Sequence, residues 1–145
     1  MIKVSELIIG RKISGVVLGD SIEATLTTLG EPEIFTESYK SYPAMAVYGD
    51  LELRFRDNKL TAIALSLENV QCSTPFICHN LVFDVDIGFD FNTIVEWLNR
   101  MDIGWEKDEL MSDSDQLVIV LDEQTHLSFE NSRLTRVVSS IRNPV

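Results

Sequence analysis

Apolar and polar residues alternate along Leu51-Glu-Leu-Arg-Phe-Arg56, break at the polar pair Asp57-Asn58, and alternate again up to Leu67. A period of two on both sides of a short polar turn predicts two antiparallel strands with one face buried. The chain repeats the pattern from His126 to Ile141. With Phe55 laid on Phe129, Leu53 meets Leu127, Asp57 meets Asn131, Asn58 meets Ser132 and Lys59 meets Arg133. Leu60 then meets Leu134, Thr61 meets Thr135, and Ile63 meets Val137, all without a gap.

The remaining elements follow from punctuation. Ile13 to Leu18 reads as a strand interrupted by Gly15, and Val4 to Ile9 fits a short helix or an edge strand equally well. Asp20 with Glu23 three residues on is a capping-box signal, and Gly30-Glu-Pro32 is a stop, so a helix runs between them. Ile22, Leu26 and Leu29 share one face of that helix. Glu33 to Pro43 reads as a loop rich in aromatics (Phe35, Tyr39, Tyr42), followed by a strand at Ala44–Tyr48. In the second half Leu81, Phe83, Val85 and Ile87 alternate as a strand. Gly88 and Asp90 take the places of Gly19 and Asp20, a helix follows from Phe91 to Met101, and Leu117–Leu121 matches Ala44–Tyr48.

The order strand, helix, three strands therefore occurs twice, at about 13–67 and 81–141, with 68–80 as the link. The expected fold is α+β: a single domain over 1–145, with antiparallel sheet built from two β-α-β-β-β repeats and both helices packed on one side. A chain of 145 residues is long enough to bury such a core without staples. The helices are offset by 69 and the hairpins by 74. The second copy thus carries five extra residues, all within Asn99 to Gln116.

Charge changes the picture more than composition does. The net charge of −11 is uneven: residues 1–70 hold ten acids against seven bases, and residues 71–145 hold thirteen against five. Such a field disfavours nucleic acid, whose phosphates need Lys and Arg, and either favours a basic partner or serves only to keep the chain in solution. No apolar run approaches the roughly 18 residues of a membrane span, and Glu6 interrupts what would have to be a signal peptide's apolar core. A cytoplasmic protein with no membrane association is expected, with Cys72 and Cys78 reduced. Monomer and homodimer are both open.

The stretch Leu18-Gly-Asp-Ser-Ile-Glu-Ala, with Leu29-Gly-Glu-Pro32, Tyr48-Gly-Asp-Leu-Glu-Leu-Arg-Phe55 and Asn58-Lys-Leu-Thr-Ala-Ile63, resembles small bacterial proteins of the immunity type found beside secreted toxins. The tandem helix-plus-meander plan is also similar to the beta-lactamase inhibitory protein and to the outer-membrane assembly lipoprotein fold that shares its unit. This resemblance implies a non-catalytic inhibitor. It covers Leu18 to Leu67 well and the second half poorly, and no segment reproduces a known inhibitor's contact loop.

Candidate chemistry is sparse. Two cysteines and two histidines without paired short spacings make a poor zinc set. Asp84, Asp86 and Asp90 lack the glycine and terminal glutamate of a calcium loop. No glycine-rich phosphate loop occurs, so neither metal nor cofactor is expected. His126 reads as a sheet residue, and adjacent Cys78 and His79 point apart unless they lie in a loop. What stands out is Asp102 to Asp115, six acids and one lysine around a tryptophan. It reads either as a solvated loop with Trp105 tucked into the core or as a recognition surface, in which Trp105 is the candidate anchor and Asp108, Glu109, Asp113 and Asp115 are the candidate contacts for a basic toxin or nuclease. The alternative is a small-ligand binder or enzyme that uses Phe35, Tyr39 and Tyr42 over the sheet.

Overall fold

In the computed structural model, which describes residues 1–71, 75–122 and 124–141, the chain opens with β1 (Ile2–Lys3) and α1 (Val4–Gly10). A tight pair, β2 (Lys12–Ile13) and β3 (Val16–Val17), leads to α2 (Ile22–Leu29). The first meander follows as β4 (Ile34–Thr36), β5 (Ala44–Tyr48), β6 (Leu51–Arg56) and β7 (Lys59–Ser66). Then come β8 (Phe76–Cys78), β9 (Leu81–Asp84) and α3 (Phe91–Arg100). The second meander is β10 (Glu106–Lys107), β11 (Leu117–Leu121), β12 (Thr125–Glu130) and β13 (Arg133–Ser140).

The two meanders join into one eight-stranded antiparallel sheet in the order β10-β11-β12-β13-β7-β6-β5-β4. Strands β1, β9 and β8 form a separate three-stranded sheet, with β1 parallel to β9, and β2 pairs only with β3. The fold is α+β. Its inward face carries Leu53, Phe55, Leu60, Ile63, Leu127, Phe129, Leu134 and Val137, which share one buried cluster with Leu7, Leu29, Ile94 and Leu98 of the three helices.

The hairpins match bond for bond. In both, an extra residue on the returning strand bulges the ladder: Arg54 faces Ala62 while Phe55 faces Leu60, and Ser128 faces Arg136 while Phe129 faces Leu134. The bulged residues are Thr61 and Thr135. Their hydroxyls donate to the carbonyls of Arg54 and Ser128, each at 3.2 Å, which accounts for threonine at this offset in both copies. The turn residues Asp57 and Asn58, like Asn131 and Ser132, have φ between 50° and 64°, the left-handed pair of a type I′ turn.

Each hairpin also holds the start of a helix. Leu60 N–H donates to the Asp20 carbonyl and Leu134 N–H to the Phe89 carbonyl, both at 2.8 Å. The first helical N–H donates to the second turn residue in each case, Ile22 to the Asn58 side chain and Phe91 to the Ser132 carbonyl. One orphan donor of each helix terminus is thereby satisfied from outside the helix.

Several boundaries differ from the sequence reading. The cap of α2 is Ser21, whose Oγ accepts from Ala24 N–H; Asp20 turns its carboxylate back to Val17 N–H, and the counterpart of Ser21 is the Asp90 cap of α3. Ile13 to Leu18 is a two-strand hairpin rather than one strand, because Ser14 and Gly15 both take positive φ. Part of the expected aromatic loop is the edge strand β4, and the link contributes β8. Val4 to Ile9 is helical, with Asp86 accepting from the N–H and hydroxyl of Ser5. Arg133 fastens the link to the second hairpin by donating to the carbonyls of Leu67 and Val70 while its guanidinium lies over the Phe89 ring.

Candidate functional site

The acid-rich stretch begins as sheet. Glu106 and Lys107 pair with Val120 and Ile119, and Asp108 N–H continues the ladder to the Val118 carbonyl at 2.8 Å. There the chain leaves the sheet, and two carboxylates fold the excursion on itself. Asp108 Oδ1 accepts from the amides of Leu110 and Met111, both at 3.1 Å; Asp113 Oδ1 accepts from Asp115 and Gln116 at 2.8 and 2.9 Å. Ser112 Oγ accepts from Val118 N–H at 3.0 Å, and Gln116 Nε2 donates to the Met111 carbonyl. Side-chain acceptors of this kind replace the backbone partners that a loop lacks.

The five predicted site residues thus divide by role. Asp108 and Asp113 spend an oxygen on loop amides, and Asp108 Oδ2 also lies 3.5 Å from His126 Nε2 on the outward face of β12. Glu109 is exposed and 3.6 Å from Lys107 Nζ, a solvated pair of small energetic weight. Asp115 is exposed as well. Trp105 is half buried: its ring meets Phe91 edge-on at 6.2 Å, Phe91 meets Phe129 edge-on at 5.1 Å, and its Nε1 donates to Asn99 Oδ1. The tryptophan therefore ties the segment to the core and offers a partner only its remaining surface, beside an open groove formed by Gly104, Trp105, Glu106, Val120 and Asp122.

Sequence reasoning missed what the two carboxylates achieve, which is to hold Leu110 in water at 99% exposure with Met111 beside it at 53%. A singly exposed leucine is ordinary on a protein surface. Here its backbone is fixed by Asp108, its neighbour is also apolar and exposed, and it is flanked by Asp108, Glu109 and Asp113. The available signal was an aspartate placed two and three residues before free amides, twice in nine residues.

The other candidates are placed as follows. His79 sits in the β8–β9 turn at φ 57° and is exposed, whereas Cys78 is buried, and burial pushes its thiol up to about 11, away from nucleophilic use. Cys72 lies outside the described residues. Asp84 is half buried on β9, Asp86 holds α1 and Asp90 caps α3. Tyr39 and Tyr42 form an isolated bridge and are both largely exposed; Phe35 lies on β4. Among the described residues no group of three or more His, Cys, Asp or Glu is placed to hold a metal ion, and no helix is long and apolar enough to cross a membrane.

No protein-family model, curated protein or solved structure matches the chain.

Proposed function

We propose that the chain is a non-catalytic protein-binding protein, an immunity-type inhibitor of a basic toxin or nuclease, and that it docks through the loop from Asp108 to Gln116. The observation that supports this reading is Leu110, fully exposed on a loop whose shape is fixed by its own side chains. A rigid loop loses little conformational freedom on binding, and burying one leucine contributes about 1.5 to 3 kcal/mol. The partner this chemistry fits presents an apolar pocket rimmed by Lys and Arg. Glu109 and Asp115, whose carboxylates are not used by the loop, supply the steering charge.

A photo-crosslinking residue at position 110, compared in cells of the source organism with one at Ile77, which is exposed on β8, tests the docking site. A discrete adduct with a basic protein is expected from position 110 only. No adduct from position 110, or the same adduct from both positions, would remove the loop from the interface.

A further inference from the structure

The outward face of the eight-stranded sheet carries a second feature, unconnected with the acidic loop. Cross-strand pairing sets Met45 opposite Arg54, Arg54 opposite Ala62, and Ala62 opposite Ser140, so these four form one row running across β5, β6, β7 and β13. Arg56, two residues beyond Arg54 on the same strand, shares that face. Because Ala62 and Ser140 are small while Met45, Tyr42 and the two arginines are large, the row encloses an open groove of about 420 Å³, within the size range of small-molecule sites. In a chain with 23 acids and 12 Lys and Arg, the charged side chains that line the groove among the described residues are both arginines.

The fold does not require this pair. The repeat places Ser128 where Arg54 stands and Glu130 where Arg56 stands, so neither arginine has a cationic counterpart in the other half. Arg54 Nη2 lies 3.3 Å from Glu52 Oε2 and is partly neutralised. Arg56 Nη1 donates to the Ser41 carbonyl at 3.1 Å, which orients the guanidinium without cancelling its charge. Glu52, Arg54 and Arg56 together leave one net positive charge, the complement of a single carboxylate. Guanidinium presents a planar fork of donors to such a group, and Tyr42, 69% exposed, with Met45 supplies an apolar wall for a ring.

We propose that this groove binds a small aromatic carboxylate, its anionic group on Arg56 and Arg54 and its ring between Tyr42 and Met45 above Ala62 and Ser140. The test is titration of the full ¹⁵N-labelled chain with benzoate, phenol, acetate and phenyl phosphate, following backbone amides by NMR. Benzoate is expected to give saturable shifts confined to Met45, Arg54, Ala62, Ser140 and their neighbours, with a dissociation constant on the order of 1 mM for so few atoms. Phenol and acetate should bind at least about tenfold more weakly, since each lacks one half of the recognition. Arg56→Gln should weaken benzoate about tenfold with the rest of the spectrum unchanged, and Arg136→Gln, on the same face in the other half, should not. Unsaturable benzoate shifts, equal binding of acetate, or equal loss in both variants would overturn the site, and tighter binding of phenyl phosphate would overturn the carboxylate assignment. None of these outcomes bears on Leu110, so this site and the loop stand or fall separately.

Discussion

Ala64 lies directly opposite Val138 across the β7–β13 seam, and the same two residues are equivalents in the internal repeat, 74 positions apart. On either side the pairs come as mates: Leu65 faces Val137 while Ile63 faces Ser139, each pair being the other with its copies exchanged. A local two-fold axis therefore passes between Ala64 and Val138. Joining the meanders along their last strands lets each close the edge that the other leaves open, so the seam has no unpaired strand to protect. The register is set by burial, because a slip of one residue would carry Leu65 and Val137 to the outward face.

The bulge threonines should behave as a matched pair. Thr61→Val and Thr135→Val each remove one hydroxyl that donates to a bulge carbonyl at the same distance, and each is expected to cost about 1 kcal/mol. Urea unfolding at neutral pH measures both. Effects that differ by more than about 1 kcal/mol would mean the two bulges are not energetically equivalent.

Phe55 and Phe129 are each 1% exposed and occupy equivalent places under the helices. Either Phe→Ala substitution should destabilise by about 3 to 5 kcal/mol through lost burial and the cavity left behind. Phe129 also meets Phe91 edge-on, so its loss should loosen the contact that holds Trp105, seen as a red shift of tryptophan fluorescence that Phe55→Ala does not cause. A loss below about 1 kcal/mol would place the ring outside the core.

Tyr48 gives the fold an alkaline limit. Its ring is fully buried, its hydroxyl donates to the Gly30 carbonyl at 2.6 Å, and burial pushes its pKa up to about 12. A folded-state pKa above the unfolded value of 10.0 means that the stabilisation is complete below pH 10 and is lost as pH rises from about 10 to about 12. That loss should reach about 2 to 3 kcal/mol at the upper end. Tyr48→Phe, which strands the Gly30 carbonyl, should cost about 1 to 3 kcal/mol at neutral pH and remove this part of the alkaline dependence. An unchanged slope of stability between pH 10 and 12 in the variant would contradict the assignment.

The long hairpins were legible in the sequence because strands of six and eight residues with one buried face print a period of two. The short strands were not. Strands β2, β3 and β10 have two residues each and β4 and β8 three, too few to show any period; β4, β8 and β10 form where β5, β9 and β11 offer free ladder positions, and β2 and β3 pair with each other. Ser21 rather than Asp20 caps α2 because the bond from Leu60 N–H to the Asp20 carbonyl holds Asp20 ahead of the helix, and that tertiary bond has no signature in the sequence. In the acidic segment, charge was readable but geometry was not. Asp108 and Asp113 look like Glu109 and Asp115 in sequence, yet two of the four hold the loop and two face water. The exposure of Leu110 follows from that division and has no signature of its own.

On this proposal the loop docks by Leu110 and is steered by the acids it does not need for its own shape. Its most direct test is stopped-flow binding across a salt series to the protein captured by the position-110 crosslink. The wild-type chain is compared with Leu110→Ser and with the double variant Glu109→Gln, Asp115→Asn. Asp108 and Asp113 are left intact so that the loop keeps its shape. Leu110→Ser is expected to raise the dissociation rate by about tenfold or more with association unchanged, and the double variant to slow association and flatten its salt dependence. Dissociation unaltered by Leu110→Ser, together with association equally salt-dependent in all three proteins, would contradict it.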